Sequence, residues 1–383
     1  MQNFEFHNTK SLVVERGGAA RLGDRMAQMG HKNILFVTDP GLMSAGLADA
    51  ALQNLAANNL KVTVFSKVEA DPPESVILEA KQLAVELQAD CVIGFGGGSS
   101  MDVAKLVALL ACSGEELSKI YGVNMAKGPC LPLVMVPTTS GTGSEVTPIS
   151  IVTTGVGEKK GVVSSLLLPQ LALLDAELTL GLPKHVTAAT GIDAMVHAIE
   201  AYTSKRLKNP ISDCLAREAL RLLSGSIHKA CHEGHDLQAR ENMLLGACLA
   251  GMAFANSPVA AVHALAYPVG ARFHVPHGLS NALVLPHVIR FNCGDAEALY
   301  AELADIVLPG VSGSPAAKVQ SFVDYLAGLG KAFGLPTTLS EVGIQASDLQ
   351  QLAEDAMKQT RLLINNPRDV TLADALRLYE AAL

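Results

Sequence analysis

Short apolar runs and stretches of helical periodicity alternate through roughly the first 180 residues of the chain. KNILFVTD (32–39), KVTVFSKV (61–68), CVIGFGGG (91–98), LPLVMVPTT (131–139) and LALLD (171–175) read as strands bounded by Gly, Pro or Asp. Several are continuously apolar rather than alternating, as strands covered on both faces must be. Helical patterns at about 17–29, 74–88 and 101–112 separate them, and strand–helix alternation of this kind predicts a parallel α/β sheet. Beyond Leu182-Pro183 the period changes. From Lys184 to Leu383 helical periodicity is nearly unbroken, with breaks predicted at Asn209-Pro210, Ser257-Pro258, Val275-Pro276 and Leu335-Pro336. The pattern therefore predicts an α/β domain over residues 1–182 and an all-helical domain over residues 183–383. No internal repeat or low-complexity tract interrupts it, and the Gly-, Ser- and Pro-rich stretch 308–315 reads as the least ordered.

Composition narrows the partners. With 383 residues, 49% of them hydrophobic and 17% charged, the chain has ample material for two soluble globular cores. A formal charge of -8 without any Lys/Arg run argues against nucleic acid or an anionic membrane surface as a partner. The first ten residues contain no apolar signal core. No apolar run approaches the roughly 20 residues needed to span a bilayer. Cysteines 91, 112, 130, 214, 231, 248 and 293 are odd in number and never in CxxC spacing. Buried reduced thiols and a cytoplasmic location are expected.

The chemistry-bearing residues fall in two groups. Asp193 and His197 lie at i and i+4 in GIDAMVHAIEAY, so one helix face carries both. His263 in AVHALAYPVG and His277, fourteen residues on in VPHGLSNALVLPHV, complete a set able to close around one divalent metal. Three neutral imidazoles and one carboxylate suit Fe(II) or Zn(II) rather than Mg or Ca. His228, Cys231, His232 and His235 in SIHKACHEGHD form a second cluster, but they run into a charged turn and read as a solvated loop. His185 and His287 read as structural.

The other group is rich in glycine. Gly94, Gly96, Gly97, Gly98 and Ser99 follow a strand and open a helix, in the spacing G-x-G-x-x-S. Backbone without Cβ can approach a pyrophosphate closely, and a helix start offers free N–H groups; a tight strand–helix turn of no function is the alternative. A second such turn, PTTSGTGSE (137–145), points with the first to one anion-binding crevice at a switch point of the sheet. Asp39 ends the strand ILFVTD. Its carboxylate either accepts the hydroxyls of an adenosine ribose, favouring NAD over NADP, or serves as an ordinary N-cap before Pro40. It lies upstream of the glycines, so the strand order differs from that of an ordinary Rossmann dehydrogenase. Metal and dinucleotide together imply redox chemistry at an oxygen-bearing carbon.

GGGSSMDVAK, PTTSGTGSEVT, GIDAMVHAIEAY and HVPHGLSNALVLPHV, in this order, resemble the iron-containing (group III) alcohol dehydrogenases, and the likeness extends to a closing NPRDVTLADALRLYEAAL. The resemblance implies a Rossmann-like dinucleotide-binding domain and a helical metal-binding catalytic domain. It implies Asp193, His197, His263 and His277 as ligands of Fe(II) or Zn(II), with His263 and His277 central to catalysis. Gly96, Gly97, Gly98 and Ser99 would meet the NAD pyrophosphate, with Asp102 nearby. Thr138, Thr139 and Thr147 would line the cofactor's path, Lys159 would hold the ribose beside the nicotinamide, and Asp39 would set the preference for NAD. Phe254 falls where the family packs a side chain near substrate. His274 is a non-ligand that approaches the nicotinamide or the substrate.

This chain departs from the family at two places. Tyr267 stands where many members carry a second histidine thought to relay protons, and a phenol ordinarily titrates far above neutrality. Asp71, in DPP, replaces an Asn common in the family. The expected reaction is reversible oxidation of a primary or secondary alcohol to an aldehyde or ketone by a homodimer or higher homo-oligomer. Reduction of a polar aldehyde such as lactaldehyde is a runner-up. An NAD- and metal-dependent sugar-phosphate cyclising lyase is a third reading. It would need several cations near the metal motifs to hold phosphate, and segments 193–200 and 254–278 offer only Arg272.

Overall fold

A computed structural model describes residues 3–155 and 158–383. The chain divides into two compact units, one of residues 7–181 and one of residues 182–383 that also takes in the N-terminal residues up to Phe6.

Among the described residues the first unit contains nine strands: β1 (Ser11–Val14), β2 (Asn33–Val37), β3 (Lys61–Phe65), β4 (Cys91–Gly96), β5 (Gly122–Val123), β6 (Leu133–Pro137), β7 (Ile149–Thr154), β8 (Glu158–Val163) and β9 (Leu171–Leu174). Six form a parallel sheet in the order β1-β9-β6-β4-β2-β3. The parallel sheet is the one the apolar runs predict, and the burial explains their continuity. Leu35 and Val37 join one core with Val92 and Met135. Ile34 and Phe36 join another with Ile93, Phe95 and Val134. The central strands β2, β4 and β6 are therefore apolar nearly throughout because both faces are covered. Phe36 and Phe95 tie neighbouring strands with ring centroids 5.2 Å apart.

Several elements differ from the pattern. The helix expected at 17–29 is a 3-10 turn, Ala19–Arg21, followed by a short helix, Leu22–Gln28. The strand expected at 91–98 stops at Gly96, because the helix Gly98–Ser113 begins almost at once. Helices Pro40–Ser44 and Asp49–Ala57, the edge strand β1, and a small sheet β5-β8-β7 were not legible. β1 is exposed at both ends and half-buried between, and β7 alternates half-buried with buried positions. Neither carries a continuous apolar run.

The second unit is helical: Lys184–Thr203, Pro210–His232, Leu237–Asn256, Ala261–Phe273, His277–Val307, Pro315–Phe333, Leu349–Met357, Thr360–Leu363 and Leu372–Ala382. The predicted breaks fall in its linkers. Asn209 caps its helix by accepting from the Ser212 N–H at 2.9 Å, and Pro276 stands at the N-cap of the helix it precedes. Pro268 and Pro286 instead lie inside helices. Residues 308–314 join two helices, and the Ser314 side chain caps the second. The cluster at 228–232 needs correction: His228, Cys231 and His232 occupy the last turns of a helix, with the His228 ring 5.0 Å from that of Phe333. No single helix among the described residues is long and apolar enough to cross a membrane. Leu237–Asn256 and Ala261–Phe273 pass that test only as a pair bent by 107°.

The helix Lys184–Thr203 is the heart of this unit, with every residue from Gly191 to Thr203 buried. The start of His277–Val307 packs against it so closely that a Cβ on Gly278 would lie 2.3 Å from the Ala189 carbonyl oxygen and 3.3 Å from Asp193 Cβ. Both neighbours belong to the buried helix, so neither can yield cheaply. Gly278→Ala is expected to cost about 3 kcal/mol or more by overpacking. Equilibrium unfolding in urea would check this, and a variant as stable as its parent would show that the two helices separate freely.

Candidate metal centre and dinucleotide crevice

Asp193, His197, His263 and His277 come from three helices and present one ligand atom each, all within 4.8 Å of one another. Asp193 and His197 share a face of the buried helix, as i and i+4 spacing requires. His263 lies in the first turn of Ala261–Phe273, and His277 is the first residue of the helix after Pro276. Asp193 Oδ1 is 3.9 Å from His263 Nε2 and 3.5 Å from His277 Nε2. Four donors bonded about 2.1 Å from one tetrahedral ion would sit about 3.4 Å apart, so this set fits a first-row divalent cation with little adjustment.

The electrostatics agree with that fit. Burial works against the Asp193 carboxylate, yet the three imidazoles and an Asn281 hydrogen bond hold it below the usual range. Burial, with His197 and His277 beside it, pushes His263 well below the ordinary histidine range. At neutral pH the set is thus one carboxylate with a neutral His263, the protonation state a metal ligand needs.

Two residues outside the predicted set complete the surroundings. Glu200, on the same buried helix, accepts the Val262 N–H at 2.7 Å through Oε1, and its Oε2 lies 2.6 Å from His263 Nδ1. Burial pushes its carboxyl up to about 7, against the pull of backbone N–H groups at Ala260 and Val262. Asn281, fully buried one turn after His277, donates through Nδ2 to Asp193 Oδ1 at 2.6 Å and lies 3.3 Å from both His263 Nε2 and His277 Nε2. Glu200 sits inside GIDAMVHAIEAY and Asn281 inside VPHGLSNALVLPHV, but nothing in their local spacing separates them from ordinary helix residues.

The other predicted residues of this unit take distinct places. Phe254 is 9% exposed and stacks on His197 with centroids 4.4 Å apart. Tyr267 lies edge-on to His263 at 6.3 Å and 5.8 Å from the His277 ring. His274 is an exposed left-handed residue, φ 55°, that ends the helix Ala261–Phe273. It stands outside the four-ligand cluster.

In the first unit the chain leaves β2 in one direction to β3, then crosses back to place β4 on the other side of β2. The sheet's switch point thus lies between β2 and β4, and the loops at their C-terminal ends carry Asp39 and the glycines. Gly96 takes φ 151°, open to glycine, and turns the chain into the helix Gly98–Ser113. That helix has no side-chain cap at Gly97 and no acid in its first turn, where Ser99 is half-buried, so its N-terminal N–H groups suit an anion. A Cβ at Gly97 would lie 3.6 Å from Thr139 Oγ1, and one at Gly98 2.8 Å from Thr142 Cγ2. The second glycine-rich turn therefore borders the first. Thr138 is buried, its N–H bonded to the Gly96 carbonyl at 3.0 Å. Backbone cradle, helix start and flanking acid together fit a dinucleotide.

Asp39 caps the helix Pro40–Ser44 through the Leu42 N–H at 3.0 Å. The cap occupies Oδ1 and is compatible with a ribose contact through the other oxygen.

Asp102, Thr147 and Lys159 make protein contacts. Asp102 accepts from Ser144 Oγ at 2.6 Å and the Ile151 N–H at 2.9 Å. The fully buried Lys105 donates to Ser144 Oγ at 2.7 Å, Thr147 Oγ1 at 3.2 Å and the Ile149 carbonyl at 2.7 Å. Burial lowers Lys105 to about 8 and raises Asp102. This lysine, which the sequence did not single out, holds the second turn onto the helix Gly98–Ser113. Lys159 pairs with Asp71 at 2.6 Å.

Comparison with known proteins agrees with this geometry. Family models match residues 9–176 (iron-containing alcohol dehydrogenase) and 187–383 (Fe-containing alcohol dehydrogenase family, C-terminal). Long-chain-alcohol dehydrogenase 1 of Geobacillus thermodenitrificans (strain NG80-2) is 41% identical over 373 residues, covering 96% of this chain and 93% of its own. A crystal structure of 1,3-propanediol oxidoreductase superposes with TM-score 0.96 at 32% identity, covering all of both chains. The sulfoacetaldehyde reductase of Bifidobacterium kashiwanohense, solved in complex with NAD+, does so with TM-score 0.90 at 27% identity, over 100% of this chain and 99% of that one. The chain belongs to the iron-containing alcohol dehydrogenase family.

Proposed function

We propose that this protein reversibly oxidises an alcohol to an aldehyde or ketone, with NAD as hydride acceptor and Fe(II), or Zn(II) in its place, held by Asp193, His197, His263 and His277. The observation that carries the reading is the convergence of those four donors within 4.8 Å. The family's members include enzymes of alcohols and aldehydes, and this chain's activity falls in that class.

When bound, the metal supplies Lewis acidity that lowers the pKa of a hydroxyl, and the nicotinamide supplies the hydride acceptor. The chain's own residues do the rest by placement. Asp193 and the three imidazoles fix the ion's position. Phe254, stacked on His197, walls the cluster with apolar surface. His277, with 32% of its side chain exposed against 2–3% for His263 and Asp193, marks the side from which a substrate oxygen arrives. The N–H groups at the start of Gly98–Ser113 hold the pyrophosphate, and Thr138 and Thr139 flank it. Asp39 receives the ribose hydroxyls and repels a 2′-phosphate. Lys105, by tying Ser144 and Thr147 to the helix, keeps the second turn in place.

In this reading residues 1–182 bind the dinucleotide and residues 183–383 the metal and substrate. The sulfoacetaldehyde reductase among the structural relatives favours a second, narrower possibility, reduction of a polar aldehyde, as the physiological direction. Seven free thiols and the family likeness support a cytoplasmic homodimer or larger homo-oligomer.

Two measurements test the assignment. His263→Ala is expected to drop kcat/KM for an alcohol by about a thousandfold or more and to release the metal, as elemental analysis would read. Chelation of the parent should abolish turnover, and added Fe(II) or Zn(II) should restore it. Full activity in metal-free His263→Ala would end the reading. For the cofactor, Asp39→Ser keeps an N-cap oxygen but removes the charge, so the ratio of kcat/KM for NADP to that for NAD should rise about tenfold. An unchanged ratio would leave Asp39 as a cap alone.

A further inference from the structure

Building on the proposed metal centre, we infer that Glu200 is a positioning residue for the metal: its carboxylate holds the His263 proton on Nδ1, so that Nε2 presents its lone pair to the ion. Glu200 follows Asp193 by seven residues and His197 by three on the part of the helix Lys184–Thr203 that is buried without a break, Gly191 to Thr203, so all three project toward one side. Its Oε2 lies 2.6 Å from His263 Nδ1, while the Nε2 of the same ring lies 3.9 Å from Asp193 Oδ1 inside the cluster. In its ionised form Glu200 only accepts hydrogen bonds, so an imidazole this close to it then carries its proton on the facing nitrogen. The opposite nitrogen is then free to ligate.

The second oxygen anchors the geometry. Oε1 accepts the Val262 N–H at 2.7 Å, and the Ala260 N–H also faces the carboxylate. The helix Ala261–Phe273 has Ala260 at its N-cap and no side-chain cap of its own. Glu200 supplies that cap from another helix. One carboxylate therefore sets both where the helix starts and how its third residue turns its ring. The groups that act most strongly on Glu200 are backbone N–H donors and imidazoles, and the Tyr300 phenol also feels its charge. With Asp193, Glu200 brings two acidic groups to the cluster, one direct and one through a histidine, matching the charge of a divalent cation. Partners of this kind orient ligating histidines and raise their basicity.

A plain helix cap would make the same backbone bonds, so the test must read the ring. Glu200→Gln offers one acceptor and one NH2. With the acceptor on the Val262 N–H, the NH2 faces His263 Nδ1 and drives the ring proton to Nε2, the ligating atom. The Zn(II) dissociation constant, measured by competition with a chelator, should rise about 10- to 100-fold in Glu200→Gln. Glu200→Asp, which keeps the charge, should recover part of that loss. In the wild type loaded with Co(II), the His263 Nδ1–H should give a hyperfine-shifted proton signal slow to exchange with solvent, and the Gln variant should lack it. Equal Zn(II) affinity and an unchanged signal in Glu200→Gln would overturn the positioning role while leaving the metal centre intact. A wild type that binds neither Zn(II) nor Co(II) would overturn the metal centre itself, and this inference with it. Should the Gln variant fail to fold, 15N-histidine spectra of the wild type decide: a proton on His263 Nδ1 supports the role, and one on Nε2 overturns it.

Discussion

A helix buried at every residue from Gly191 to Thr203 that nevertheless carries Asp193, His197 and Glu200 is the constraint on which the rest of the helical unit depends. An isolated carboxylate moved from water to a protein interior costs many kcal/mol unless it is paired and hydrogen-bonded. Two such groups on one helix oblige the neighbouring helices to bring donors. Ala261–Phe273 answers with His263 and the N–H groups of its unfinished start, and His277–Val307 answers with His277 and Asn281. The close seat at Gly278, where no side chain would fit, brings His277 and Asn281 within reach. Packing and site chemistry here are one problem: helices that separated by even a methyl group would strand acids in an apolar core.

Much of this was written in the chain, but unevenly. Asp193 and His197 announce themselves because i and i+4 spacing is a local signal. His263 and His277 become members of the set only through the family likeness or the fold, since 70 positions and two intervening helices separate Asp193 from His263. Glu200 was invisible for a physical reason. A glutamate in mid-helix is usually solvated, and only the burial of every neighbour shows that this one is not. Lys105 hid likewise, in a helix that is buried from Ser100 to Leu110 except at Asp102. In the α/β unit the central strands were plain because both faces demand apolar residues. The edge strand β1 and the hairpin of β7 and β8 face the core on one side at most, and half-buried positions tolerate too many residue types to leave a pattern.

The upstream acid that disagreed with an ordinary dinucleotide motif finds its explanation in connectivity. A nucleotide crevice needs a glycine-rich turn on one strand and an acid on the strand beside it, and it does not need them in that chain order. Here β2 and β4 are neighbours, with Val37 opposite Gly94, so Asp39 and Gly97 end adjacent strands although the acid comes first. The helix Asp39 caps has only five residues, and its Asp N-cap precedes proline, where the chain is already biased away from helix. Cap and ribose acceptor are therefore compatible duties of one carboxylate with two oxygens.

Burial around the four ligands is lopsided, and that asymmetry constrains what the site can select. Asp193, His197 and His263 are sealed, His197 beneath the Phe254 ring, while His277 keeps about a third of its side chain in contact with solvent. In the proposed reading a substrate approaching from the His277 side would present its oxygen first, and the four ligands offer it no Lys or Arg. The dry side lowers the local dielectric and strengthens whatever charge the ligands hold, whereas the wet side leaves the remainder of the substrate outside that field. Recognition at the cluster is thus recognition of a hydroxyl or carbonyl. Discrimination between long, short or polar alcohols must then come from residues outside the four ligands, because the ligands meet only the reacting oxygen.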